Sequence, residues 1–145
     1  MIKVIVFDFD GVLVDSNTFK RRAFYDLLAG TYGITAQMID NVWAEIGGQN
    51  KTRFEILRSV FEKRYADKSK IPNLVQSYAA SYDDLVRKKI ASVGLVSGAD
   101  EMLAEASKKY NLYINSATPD FALEKTVDEL KIRKYFKGVY GKKII

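Results

Sequence analysis

Val4–Ser16 reads VIVFDFDGVLVDS. An apolar run of Val, Ile and Phe ends in two acids one residue apart, Asp8 and Asp10, followed at once by Gly11. A buried strand excludes carboxylates, because an unpaired charge in apolar surroundings costs several kcal/mol. The pair is therefore expected where a strand leaves the core, beyond its carboxyl end, which is where open α/β sheets place their ligands. Asp10 points to the same side as Asp8 if the chain stays extended, and Gly11 allows a sharp turn or a close backbone approach to a ligand. Two neighbouring carboxylates repel unless a cation or a shared proton relieves them. A hard cation such as Mg²⁺, with oxygen ligands and a position open for phosphate, would do so.

Working outward, residues 2–7 (IKVIVF), 111–115 (NLYIN) and 137–141 (KGVYG) read as short buried strands. Near-continuous apolar strands alternating with helices predict a parallel sheet covered on both faces. A helix is expected from Ser97, with Ser97 as N-cap and Asp100 three residues on. A second is expected after residue 117, with Thr118 as N-cap and Pro119 in the first helical position. Between the first two strands lie four amphipathic segments, the second stopped by Gly47-Gly48 and the fourth opened by Pro72. This pattern predicts an α/β core over residues 1–15 and 93–145, interrupted by a helical domain over 16–92.

Composition narrows the chemistry. The 145 residues are 48% hydrophobic and 28% charged, with neither cysteine nor histidine. Disulfides and thiolate metal sites are excluded, and with histidine goes the commonest general base, so chemistry must run on carboxylates, lysines and hydroxyls. No apolar run approaches the ~20 residues of a membrane span, and the start lacks a signal peptide's apolar stretch. A cytoplasmic location without a membrane partner is expected. The net charge of +5 is concentrated between residues 17 and 92, with 13 Lys/Arg against 8 Asp/Glu there and ten of each elsewhere. The aromatics of that segment fall at helical spacing and read as core, so no nucleic-acid partner is expected. A phosphate-attracting surface and ordinary solvated helix faces both account for the charge.

The stretch FDFDGVLVDS resembles the first motif of the haloacid dehalogenase superfamily, whose phosphatases carry D-x-D-G-[TV]-[LI]-x-D-S after an apolar strand. LYINSATP supplies Ser116 where the family's second motif places a Ser or Thr. GGQNKTRFEILRSVFEK is similar to a cap stretch of phosphoglycolate-phosphatase-like and β-phosphoglucomutase-like members, with Arg53 at the basic position near the substrate. The resemblance implies a Rossmann-like three-layer parallel sheet with an inserted α-helical cap domain. It implies that Asp8 attacks phosphorus to form an aspartyl-phosphate, and that Asp10 protonates the leaving oxygen and later takes a proton from water. Mg²⁺ would be held by the Asp8 carboxylate and the Asp10 backbone carbonyl. The phosphate would be held by Ser116 and by backbone around Gly11 and Ala117, and Arg53 would contact the substrate. Asp15 would shape the turn.

The chain departs from the family pattern near its end. The family's lysine falls to Lys142 or Lys143, 26 and 27 residues after Ser116. Lys143 is taken as the candidate, with solvent-facing tail lysines as the alternative. Acids after a fourth strand, which complete the family's Mg²⁺ site, are absent. Three expectations follow: a fragment of a longer phosphatase, a short form that self-associates through the unfinished sheet edge, or a non-catalytic phosphate-binding module. The first is favoured, with weak metal binding and little turnover expected of these residues alone. The substrate expected is a small phosphorylated metabolite, and a phosphoglucomutase-like transferase is the alternative enzyme.

Overall fold

The computed structural model describes residues 1–144. Three strands, β1 (Val4–Phe7), β2 (Asn111–Pro119) and β3 (Phe136–Lys142), form one parallel sheet in the order β1-β2-β3. Among the described residues six α-helices accompany them: α1 (Asn17–Leu28), α2 (Ala36–Ile46), α3 (Arg53–Arg64), α4 (Ile71–Val93), α5 (Ala99–Ser107) and α6 (Asp120–Glu129). The α/β class, the parallel sheet and the helical segment between the first two strands are as the sequence pattern predicts. None of the helices is long and apolar enough to cross a membrane, among the described residues.

The chain divides into two compact units, residues 1–18 with 87–145, and residues 19–86. The divisions fall inside α1 and α4 rather than in the connecting loops. In the first unit α5 and α6 pack on the sheet. Leu103, Leu112, Ile114, Leu123 and Val127 are completely buried there. The central strand β2 alternates buried and open positions, the period-2 signature of a sheet with one face in the core. One expectation is corrected: β1 is not a buried strand. Val4 and Val6, which share one face of β1, are 48% and 58% exposed, while Ile5 and Phe7 on the other face are half-buried, so one face of this strand is uncovered.

In the helical unit α2 packs on α3, and Leu57, Val60 and Phe61 of α3 are fully buried. The ring of Phe24 lies 4.6 Å from that of Tyr82 and 5.9 Å from that of Trp43, while Phe61 meets Tyr78 edge-on at 5.3 Å. The aromatics at helical spacing are therefore core. The expected glycine stop is present: Gly47 ends α2 in the left-handed conformation, at φ 65°, which only glycine adopts without strain. Thr52 begins α3 with a reciprocal capping box to Glu55, satisfying two otherwise orphaned N–H groups.

Two helix starts differ from expectation. α5 begins after Gly98, at φ 78° and with no side-chain cap, so Ser97 does not cap it. α6 begins after Pro119, and Thr118 belongs to β2. The residue before a proline is disfavoured in the helical region. That restriction suits a cap and a strand end alike, and here tertiary pairing decides: β2 runs through Thr118 to Pro119, which pairs with Lys142 of β3.

That pairing brings β3 very close to the end of β2. A Cβ built on Gly141 would lie 2.5 Å from the Thr118 carbonyl oxygen and 2.7 Å from Asp120 Cα. Both neighbours are backbone, so they cannot swing aside. Gly141→Ala is expected to cost roughly 1–3 kcal/mol, the usual penalty of overpacking, read as a lower urea midpoint with an unchanged slope; an unchanged midpoint would mean the strands separate freely here.

Candidate active site

Parallel pairing places Phe7 opposite Ile114, so Asp8, one step past the end of β1, lies level with Asn115, from which β2 runs on to Pro119. Phe9 turns into the core and is 1% exposed. Asp8 on one side of it is exposed and Asp10 on the other is half-buried. The Asp8 carboxylate accepts the Phe9 N–H at 2.7 Å.

After Asp10 the chain doubles back. Gly11 sits at φ +76° and donates to the Val14 carbonyl at 2.7 Å. The Phe9 carbonyl accepts from Leu13 at 3.0 Å and from Val14 at 3.2 Å. A Cβ on Gly11 would meet only the movable tip of the Asn17 side chain, at 2.6 Å, so it is the left-handed backbone angle that calls for glycine here. Asp15 is exposed on the way into α1.

The loop delivers Ser16, which is completely buried, back to Asp10: its hydroxyl donates to Asp10 Oδ1. From β2, the Thr118 hydroxyl donates to Asp10 Oδ2 at 2.8 Å. Both carboxylate oxygens of Asp10 are thus met by hydroxyls. Ser116, buried in β2, accepts the Thr118 N–H at Oγ over 3.1 Å; a hydroxyl accepting in this way keeps its own proton to donate. Ala117 is exposed beside it. Asp8, Asp10, Gly11, Ser116 and Ala117 therefore share one end of the sheet. Lys142 closes β3 opposite Pro119 at that same end, and Lys143 follows it, exposed.

Arg53 lies in the helical unit. It is not a solvated helix start: its side chain is 3% exposed and pairs with Asp83 of α4. It also stacks over Phe54 at 4.6 Å. Burial pulls the guanidinium below its usual basicity, and the Asp83 charge and hydrogen bond oppose that pull. The pair ties α3 to α4.

Oxygen donors for a hard cation are present in part. Among the described residues no three His, Cys, Asp or Glu side chains form a cluster able to hold a metal. The Asp8 carboxylate and the Asp10 carbonyl nevertheless suit Mg²⁺, which takes one or two carboxylates and fills its remaining positions with water and substrate phosphate. Sequence reasoning missed Thr118 and gave Ser16 no role. The available signal was the two-residue spacing of Ser116 and Thr118 on a strand, which aims both side chains to one side.

The site is thus a strand-end carboxylate pair flanked by hydroxyls, at the carboxyl end of a parallel α/β sheet. Residues 5–145 match the haloacid dehalogenase-like hydrolase family, and the chain belongs to it. A comparison with curated proteins gave no match. Among solved structures, the haloacid dehalogenase-like family hydrolase SP0104 from Streptococcus pneumoniae is similar at 28% identity and a TM-score of 0.57, over 97% of this chain and 61% of that one. CbbY from Rhodobacter sphaeroides, solved in complex with phosphate, is similar at 17% identity and a TM-score of 0.66, over 100% of this chain and 65% of its own. YfnB from Bacillus subtilis, solved bound to magnesium, is similar at 19% identity and a TM-score of 0.60, over 97% of this chain and 65% of its own. This chain thus spans less than two thirds of the length of these structures.

The buried Arg53–Asp83 pair gives a stability prediction. Arg53→Ala leaves Asp83 without its buried counter-charge and is expected to cost about 3 kcal/mol, the lower end for breaking a buried pair because Asp83 keeps some solvent contact. Thermal unfolding followed by circular dichroism measures this; wild-type stability in the variant would show that the pair does not hold α3 to α4.

Proposed function

We propose that this chain carries the phosphoryl-transfer centre of a Mg²⁺-dependent phosphatase acting on a small phosphate ester. The observation that carries the reading is the exposed carboxylate of Asp8 at the end of β1, with the hydroxyl-held Asp10 beyond it and Ser116 on the adjoining strand. Family membership supports hydrolysis in general; the phosphate in the CbbY structure and the magnesium in the YfnB structure are consistent with the narrower reading.

In the proposed reaction an Asp8 oxygen attacks phosphorus while the bond from phosphorus to the ester oxygen breaks. Asp10 gives its proton to that departing oxygen. Water then attacks the aspartyl-phosphate, Asp10 takes up the water proton, and cleavage of the bond to Asp8 restores the carboxylate and releases phosphate. Ser116 and the backbone N–H groups about Gly11 and Ala117 hold the phosphoryl oxygens, and Lys143 adds positive charge at the end of the sheet. The Asp8 carboxylate and the Asp10 carbonyl hold Mg²⁺, which when bound offsets the repulsion between an anionic nucleophile and an anionic substrate. Arg53 enters as the residue that fixes α3 to α4.

The test is release of inorganic phosphate from p-nitrophenyl phosphate with Mg²⁺ supplied. Asp8→Asn removes the nucleophile without altering its shape, so turnover should fall roughly a thousandfold or more. Asp8→Asn turning over at the wild-type rate would refute the assignment.

A further inference from the structure

We propose that Asn17 is a specificity-determining residue: its side-chain amide meets a hydroxyl on the departing half of the ester, so the site favours an uncharged leaving group with a hydroxyl beside the ester carbon. The inference rests on the reading of Asp8 as nucleophile and Asp10 as acid, and it adds the chemistry of the group that leaves.

Asn17 opens α1 directly after Ser16, whose hydroxyl is on Asp10. The chain reaches it through a closed turn. The Val14 carbonyl accepts the N–H of Gly11 at 2.7 Å and that of Ser16 at 2.9 Å, and Asp10 and Val14 form a β-bridge. The backbone of Asn17 is thereby held beside Gly11, while the residue itself is exposed. Its amide lies back over Gly11, with Nδ2 2.6 Å and Cγ 3.7 Å from where a Gly11 Cβ would stand. An asparagine at a helix start commonly turns its oxygen onto the first N–H groups of the helix. Among the described residues the Asn17 amide has no such hydrogen bond, and it rests next to Asp10 with its polar atoms uncommitted.

Displacement at phosphorus runs in line, with the departing oxygen on the side away from the nucleophile. Asp10 gives its proton to that oxygen, so whatever the oxygen carries extends past Asp10 toward Gly11 and the amide lying on it. An amide both donates and accepts, and a hydroxyl does the same, so the two match in either sense. Charge selects in the same direction. Residues 8–17 contain three acids, Asp8, Asp10 and Asp15, and no Lys or Arg. A carboxylate on the leaving group would meet like charge there; a neutral hydroxyl would not.

The experiment uses phosphonates, in which a CH₂ replaces the ester oxygen and no turnover occurs. 3-Hydroxypropylphosphonate and propylphosphonate differ only in the hydroxyl, and 3-phosphonopropionate carries a carboxylate in that place. Dissociation constants are measured on the 145-residue chain with Mg²⁺ supplied, from amide shifts in ¹⁵N NMR. The wild-type chain should bind the hydroxylated compound about three- to tenfold tighter than propylphosphonate, the range of one net hydrogen bond, and the carboxylate compound most weakly. Asn17→Ala should bind the hydroxylated compound and propylphosphonate alike. Should Asn17→Ala fail to fold by circular dichroism, Asn17→Leu, which keeps bulk without polar atoms, is read under the same criterion. Equal affinities in the wild-type chain, a hydroxyl preference that survives in the variant, or tightest binding of the carboxylate compound would overturn the proposal. So would an equal loss for both compounds in the variant, which would put the amide on the phosphonate oxygens or in the fold. A chain that binds inorganic phosphate yet shows no hydroxyl preference refutes this inference alone. A chain that binds neither phosphate nor any of the three compounds refutes the phosphatase reading and the inference with it.

Discussion

Everything at the candidate site depends on the parallel pairing of β1 with β2. Four residues, Val4–Phe7, align with Asn111–Ile114, and that register sets Asp8 beside the stretch that carries Ser116 and Thr118. A slip of one residue would turn every side chain of β1 to the opposite face of the sheet, putting Phe9 in solvent and the two acids in the core. The burial of Phe9 fixes the register from one side of the strand. The carboxylates profit from it on the other, where they leave the core at the strand's end.

This pairing joins segments about a hundred residues apart, and closing so long a loop carries an entropic cost that grows only slowly with its length. The intervening residues 19–86 form a compact unit of their own, with a core of Leu57, Val60 and Phe61 and a buried Arg53–Asp83 pair. Internal order of this kind shortens the flexible span that the pairing must close. Contacts between β2 and β3 then complete the end of the sheet, where the Gly141 backbone and the Thr118 carbonyl touch with no room for a side chain.

Much of this was legible in the sequence, and the reasons for the misses are physical. An apolar run that ends in Asp-x-Asp-Gly announces a strand end with a function, since no core tolerates those acids unpaired. Helical periodicity marked the inserted segment equally well. The start of α6 was misread because a threonine before a proline suits both a helix cap and a strand end, and the choice was settled by tertiary pairing of Pro119 with Lys142. Exposure of Val4 and Val6 depends on what covers their face of the sheet, a property of the whole fold that the strand's own residues do not encode. The burial of Arg53 was hidden for a related reason: Asp83, its partner, lies thirty residues away on another helix.

The central claim is that Asp8 is the oxygen that meets phosphorus. Beryllofluoride bonds to a carboxylate oxygen as a phosphoryl mimic and requires no turnover, so ¹⁹F NMR of the chain with beryllofluoride and Mg²⁺ addresses the claim directly. The account predicts protein-bound fluorine resonances in the wild-type chain that vanish in Asp8→Asn and weaken in Ser116→Ala. Bound resonances that persist unchanged in Asp8→Asn would contradict it.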